Sequence, residues 1–164
     1  CALAAGAPIS AVVAGLQGFE PVKGRAVVHR MRLGARDVTL VDDTYNANPD
    51  SVLAAIGVLA GLPAPRWLVL GDMGEVGPHG PALHAEVGAA AREHGIDTLW
   101  CAGAASLHAA DAYGDEARHF ATAEDLVAAL GKAPPAASVL VKGSRFMRME
   151  RVVQALRQGG GHAA

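Results

Sequence analysis

Apolar residues recur along the chain in two rhythms. Short β-branched or apolar runs alternate with longer stretches whose apolar positions fall three and four residues apart. Ala26–Leu33 alternates as a strand should, and Gly34-Ala35-Arg36-Asp37 reads as its turn. Val38-Thr39-Leu40-Val41 reads as a strand covered on both faces. So do Trp67-Leu68-Val69-Leu70, Thr98-Leu99-Trp100-Cys101 and Val139-Leu140-Val141, with a weaker run at Ala117–Ala121. A helical pattern follows each. The first carries Val52, Leu53, Ile56 and Leu59 behind Asn48-Pro49, a strong helix start. The second carries Leu83, Val87 and Ala90, and Gly95 is placed to end it. A third spans roughly 104–112, and a fourth opens on Thr122 and Asp125 in capping-box spacing. The last has Phe146, Met149, Val153 and Leu156 on one face. Five strand–helix units in a row predict an α/β fold with an open, mostly parallel sheet and helices on both faces, because parallel strands need crossover connections.

Ahead of this rhythm, residues 2–17 read as helix, with Ile9, Val12, Val13 and Leu16 at helical spacing. Two glycines and a proline within Gly18–Arg25 make a connector. The expected organisation is a helical segment over 1–18, a linker over 19–25, a compact domain over 26–158 and a flexible small-residue tail over 159–164. At 164 residues, 51% hydrophobic and 18% charged, the chain can bury a core. With 4% aromatics that core must come from Val, Leu, Ile and Ala. A net charge of −2 argues against a dedicated nucleic-acid binder. Nothing approaches the ~20 uninterrupted apolar residues of a membrane span. Two cysteines 100 residues apart form neither a disulfide framework nor a metal motif, and a reducing cytoplasm fits. The seven histidines are scattered without zinc spacing, and His29-Arg30 reads as a strand pair facing solvent.

In Rossmann-like sheets ligands bind beyond the carboxyl ends of the strands. Four loops follow those ends: 42–49, 71–75, 102–103 and 142–145. Capping accounts for Asn48 but not for Asp42, Asp43, Tyr45 and Asn46. A carboxylate at a strand end commonly binds ribose, and a solvated turn is the plainer reading of Asp43. Lys142 and Arg145 flank Ser144, the expected cap of the last helix, at an N-terminus whose dipole disfavours cations. A bound carboxylate or phosphate would explain them; snorkelling surface cations would also. Arg145, Arg148 and Arg151 could form a basic stripe, more plainly a solvated helix face. Gly71-Asp72-Met73-Gly74-Glu75 could be a metal or phosphate loop or a simple turn. The chain has no G-x-x-x-x-G-K-[ST] and no G-x-G-x-x-G after a strand, hence no phosphate cradle of its own.

Pro21-Val22-Lys23-Gly24-Arg25, Asp42-Asp43-Thr44-Tyr45-Asn46-Ala47-Asn48-Pro49-Asp50-Ser51, Leu70-Gly71-Asp72-Met73-Gly74-Glu75-Val76-Gly77 and Val141-Lys142-Gly143-Ser144-Arg145 occur in this order. That series resembles the C-terminal domain of the Mur ligases, most of all the branch that adds D-alanyl-D-alanine to UDP-N-acetylmuramoyl-tripeptide. The resemblance runs from about residue 19 to 158, and residues 1–18 look like the last helix of the family's central ATPase domain. It implies ATP-driven amide synthesis in peptidoglycan precursor assembly. A substrate carboxylate is phosphorylated, and the acyl phosphate is attacked by the dipeptide amine. ATP and Mg²⁺ would be held mainly by the central domain.

By the same resemblance, Arg25 would reach the ATP phosphates, in preference to Arg30, and Asp43 would bond the ribose hydroxyls. Tyr45, Asn46 and Asn48 would line the dipeptide side of the cleft. Lys142, Ser144 and Arg145 would face the dipeptide carboxylate. No catalytic residue and no metal ligand is expected in 1–164, and the chain alone should not ligate. Other readings are a glutamate- or amino-acid-adding ligase of the superfamily, such as a folylpolyglutamate synthetase or another Mur step, and a free-standing nucleotide- or anion-binding module.

Overall fold

A computed structural model describes residues 4–18 and 22–159. The tail beyond residue 159 and the start of the expected linker lie outside that range. The helical elements are α1 (Ile9–Gln17), α2 (Pro49–Ala60), α3 (Gly80–Glu93), α4 (Leu107–Tyr113), α5 (Ala123–Ala128) and α6 (Glu150–Gly159). The strands are β1 (Val27–Leu33), β2 (Arg36–Asp43), β3 (Arg66–Gly71), β4 (Thr98–Ala102), β5 (Ala117–Phe120) and β6 (Ser138–Lys142). They form one sheet in the order β1-β2-β6-β3-β4-β5. All neighbours are parallel except β1 and β2.

That exception is a hairpin, not a strand–helix unit. Gly34, at φ 60, and Ala35 form a two-residue turn, and Leu33 pairs with Arg36. The positive φ suits glycine at the first central position of such a turn. Arg36 and Asp37, expected in the turn, therefore belong to β2. His29 and Arg30 point to opposite faces of β1, as strand alternation requires, so only Arg30 is fully turned to solvent.

Alternation along the strands builds two cores. Val41, Leu68, Leu70, Leu99, Cys101 and Leu140 face α2, α3 and α4. Val38, Leu40, Trp67, Val69, Trp100, Val139 and Val141 face α5 and α6. The two tryptophans meet edge to face, ring centroids 4.9 Å apart. On the first face α3 and α4 approach closely at Gly88, where an added Cβ would lie 2.7 and 2.8 Å from the Ala109 carbonyl carbon and Cα. On α1, Ile9 and Val13 are exposed.

The caps follow the sequence. The Asn48 carboxamide oxygen accepts the Ser51 N–H at 2.9 Å, while the Ser51 hydroxyl oxygen accepts the Asn48 N–H at 3.1 Å. Thr122 caps α5 by accepting the Asp125 N–H. Gly95, at φ 69, follows α3. The final helix departs from expectation. Arg145–Met147 form a single 3₁₀ turn, Arg148 is left-handed at φ 52, and α6 starts only at Glu150. Phe146 consequently sits ahead of the helix and is exposed. For the same reason Arg145, Arg148 and Arg151 share no helix face.

Tyr113 closes the first core by donating its hydroxyl to the Ile96 carbonyl at 2.5 Å. Burial, then the charges of Asp97 and Glu116, push its phenol above the ordinary value of 10.0, against a smaller opposing effect of Arg92. A raised folded value favours the neutral phenol. The associated stability is complete below about pH 10 and is lost as the pH climbs through the folded value. As the pH rises above 10.0, the ordinary phenol value, the wild-type urea midpoint should fall further than that of Tyr113→Phe. Parallel curves would show that the phenol titrates alike in folded and unfolded chains.

Candidate functional site

The strands β2, β3 and β6 end side by side, and their loops lock together through main-chain groups. The Gly74 N–H donates to the Ala47 carbonyl at 2.9 Å, and the Ser144 N–H donates to the Asp72 carbonyl at 3.0 Å. The Ser144 hydroxyl also donates to the Ala47 carbonyl, at 3.1 Å. The polar tips expected after residues 41, 70 and 141 thus meet at one rim. Gly74 permits this approach, since a Cβ there would sit 3.0 Å from the Ser144 hydroxyl oxygen.

At the centre of the rim, Asp43 and Lys142 are register partners on parallel strands. The Lys142 ammonium donates to Asp43 Oδ2 at 2.5 Å and to the Asn46 carbonyl at 2.9 Å. The other Asp43 oxygen accepts the Ala26 N–H at 3.1 Å. The lysine side chain is 4% exposed and the aspartate 22%. The neighbouring Asp42 is buried and turned inward, accepting the Thr44 N–H and hydroxyl on one oxygen.

Residues 22–25 pack onto this rim. The buried Gly24, at φ 76, accepts the Tyr45 N–H on its carbonyl at 2.9 Å. The Arg25 guanidinium lies 4.1 Å above the Tyr45 ring, and Arg145 approaches the same ring at 6.0 Å. Tyr45, itself exposed, borders two adjoining clefts. One, about 310 Å³, is lined by Arg25, Asp43, Asn46, Asn48, Ser51 and Lys142. The other, about 250 Å³, is lined by Lys23, Gly24, Thr44, Arg145 and Glu150. Arg30 lines a separate groove with Asp37, Thr39 and Ala137, further down the sheet from Asp43.

All eight site residues expected from the sequence therefore lie at this rim, with unequal access. Arg25, Tyr45 and Arg145 are open, and Arg145 pairs with Glu150 at 3.9 Å. Asn48 spends its carboxamide oxygen on the α2 cap. Lys142 and Ser144, expected to face a ligand carboxylate, are instead buried and committed to the chain. Ser144 makes no side-chain cap. Both polar groups at a sheet end found partners in the neighbouring loop.

His84 was missed among the scattered histidines. It is fully buried on α3, its Nε2 accepting the Met73 N–H at 2.9 Å. That acceptance fixes the proton on Nδ1, which donates to the Gly80 carbonyl at 2.7 Å. The histidine thus props the 71–75 loop. Its position, three and seven residues before the buried Val87 and Ala91, was the available signal. Among the described residues no three His, Cys, Asp or Glu side chains gather as metal ligands would. Cys101 is fully buried, and burial followed by the nearby Asp72 charge pushes its thiol far up, away from nucleophilic use. No helix among the described residues is long and apolar enough to cross a membrane.

Comparison with known proteins bears on the family and the fold. Over 161 residues the chain is 39% identical to the UDP-N-acetylmuramoyl-tripeptide–D-alanyl-D-alanine ligase of Escherichia coli, covering 96% of this chain and 35% of the relative. The crystal structure of MurF from Acinetobacter baumannii superposes with a TM-score of 0.79 at 30% identity, again over 96% of this chain and 35% of that one. A MurF ligase from Thermotoga maritima, solved with ADP, has a TM-score of 0.73 at 22% identity over 94% of this chain and 37% of that one, a likeness of fold. The chain thus spans about a third of the length of the relatives it matches. The family model described as "Mur ligase, glutamate ligase domain" matches residues 29–145. By that match the chain belongs to the Mur ligase, glutamate ligase domain family.

Proposed function

We propose that the chain is the C-terminal domain of an ATP-dependent ligase that joins D-alanyl-D-alanine to UDP-N-acetylmuramoyl-tripeptide in cytoplasmic peptidoglycan precursor synthesis. The observation that carries the reading is the pair of clefts meeting at Tyr45, one with a carboxylate and an arginine, the other with an exposed arginine. The first has the donor and acceptor set that a nucleotide's phosphates and ribose require. The second has a cation suited to a small acid. The E. coli relative, whose name specifies D-alanyl-D-alanine, favours that acceptor over glutamate.

ATP, when bound, supplies the phosphoryl group that activates the substrate carboxylate. Arg25 meets its phosphates and Asp43 its ribose. Tyr45 forms the wall between nucleotide and dipeptide, while Asn46 and Asn48, expected on the dipeptide side, line the cleft of Arg25 and Asp43. Arg145 pairs with the dipeptide carboxylate, while Lys142 and Ser144 shape that wall from beneath. The domain's contribution is orientation: holding the amine near the acyl carbon replaces an encounter in solution, an effect worth up to about 7–11 kcal/mol. ATP and Mg²⁺ are held mainly by parts of the ligase that correspond to the remaining length of the relatives.

The test is ADP release by the ligase containing this domain, with UDP-N-acetylmuramoyl-tripeptide and each acceptor in turn. D-alanyl-D-alanine should support turnover, and Arg145→Ala should raise its KM about tenfold, the loss of one charge-assisted contact. Turnover with L-glutamate in its place would assign the chain to another step. Ligation by residues 1–164 alone would overturn the division of labour.

A further inference from the structure

Lys142 contradicts its simplest role. An ammonium at 2.5 Å from a carboxylate, 4% exposed, offers a dipeptide carboxylate little field and little access. Burying a lysine is costly unless its partners are well placed, and here they are. One donor goes to Asp43 and a second to the Asn46 carbonyl, so a single group ties the end of β2 to the loop carrying Tyr45.

We propose that Lys142 is a positioning residue that aims Asp43 at the ribose of the nucleotide. This rests on the ligase reading above. The acceptor count supports it. An ionised carboxylate has about four lone-pair sites. At Asp43 one is taken on each oxygen, by the Ala26 N–H and by Lys142. Two remain, one per oxygen, on a group still 22% exposed. Two donors on adjacent carbons, the vicinal hydroxyls of a ribose, match two acceptors on adjacent oxygens. The carboxylate must not rotate for that match to hold. Ala26 pins one oxygen from β1's side, and Lys142 pins the other from β6. Without the ammonium, Asp43 keeps a single anchor and turns about its side-chain bonds. Discrimination between a ribose and a 2′-deoxyribose then falls, because it depends on both hydroxyls finding acceptors at once.

The experiment compares kcat/KM for ATP and for 2′-deoxy-ATP in the ligase containing this domain, for wild type, Lys142→Met, Asp43→Asn and the double variant. Wild type should prefer ATP. Lys142→Met should lose about tenfold of that preference, mainly in the nucleotide KM, with the dipeptide KM moved less. In the double variant the preference should be no lower than in Asp43→Asn alone, since the lysine acts through the aspartate. Should Lys142→Met not fold, Lys142→Gln is read in the same way. Three results would overturn the inference: an unchanged ATP preference in the lysine variant, additive losses in the double, or a lysine effect confined to the dipeptide KM. A wild-type protein that turns over neither nucleotide would instead refute the ligase reading itself.

Discussion

Gly88→Ala should destabilise the chain by about 3 kcal/mol, the upper part of the range for overpacked cores. In a domain of this size that lowers the melting midpoint by about 10 °C. A Cβ at Gly88 meets the backbone of Ala109, not the end of a flexible side chain. Relief therefore requires α3 and α4 to separate, opening the contacts among Val87, Ala91, Ala109 and Tyr113. Gly57→Ala is the control. Gly57 is exposed on α2 with nothing within 4 Å of its would-be Cβ, so alanine's better helix propensity should stabilise by up to about 1 kcal/mol. Thermal unfolding of the two variants decides it. A Gly88→Ala midpoint matching wild type would mean that the two helices are not in contact as described.

Asp43→Ala is the second large effect. The change leaves the Lys142 ammonium 4% exposed with only the Asn46 carbonyl, and it frees the Ala26 N–H. Removing one partner of a buried pair costs about 3–5 kcal/mol. The 22% exposure of the carboxylate puts this case near the lower end, at about 3 kcal/mol. Asp43→Asn should cost less, because its amide oxygen can still accept from the lysine. Combining Asp43→Ala with Lys142→Met should recover part of the loss, since no charge is then stranded. Urea unfolding of the four proteins tests the series. A double variant no more stable than Asp43→Ala would show that the stranded ammonium is not the source of the cost.

Much of this architecture was readable from periodicity. Four strands of the sheet were marked by apolar runs, β1 by alternation and β5 only weakly, and the Asn48-Pro49 and Thr122 starts were marked by residues whose side chains cap. What periodicity does not carry is pairing. Nothing in Val139-Leu140-Val141 announces that β6 inserts between β2 and β3, because that order depends on which edge the crossover after β5 reaches. Arg36 and Asp37 have turn-like polarity, yet pairing with Leu33 and Arg32 drew them into β2. The start of α6 was misplaced because the apolar spacing runs through Phe146, while the backbone breaks at a left-handed Arg148.

The site shows the same division. Strand ends predicted where the polar loops meet, and the eight expected residues are there. Their exposure was not predictable from residue type. Lysine and serine are ordinarily surface residues, and only the register of β2 against β6 shows that Lys142 must face Asp43. His84 went the other way: a residue type that invites a functional reading, held in the core by two main-chain partners.

The edge-to-face contact of Trp67 and Trp100 has a practical corollary. The chain's two indoles lie within one layer, among the side chains of the α5 and α6 face, and neither borders the clefts at Tyr45. Intrinsic emission excited at the red edge of the indole band will follow the loosening of that layer alone. It should stay silent to a ligand seated against Tyr45, so an optical binding assay on this chain needs a reporter placed in the 42–49 loop.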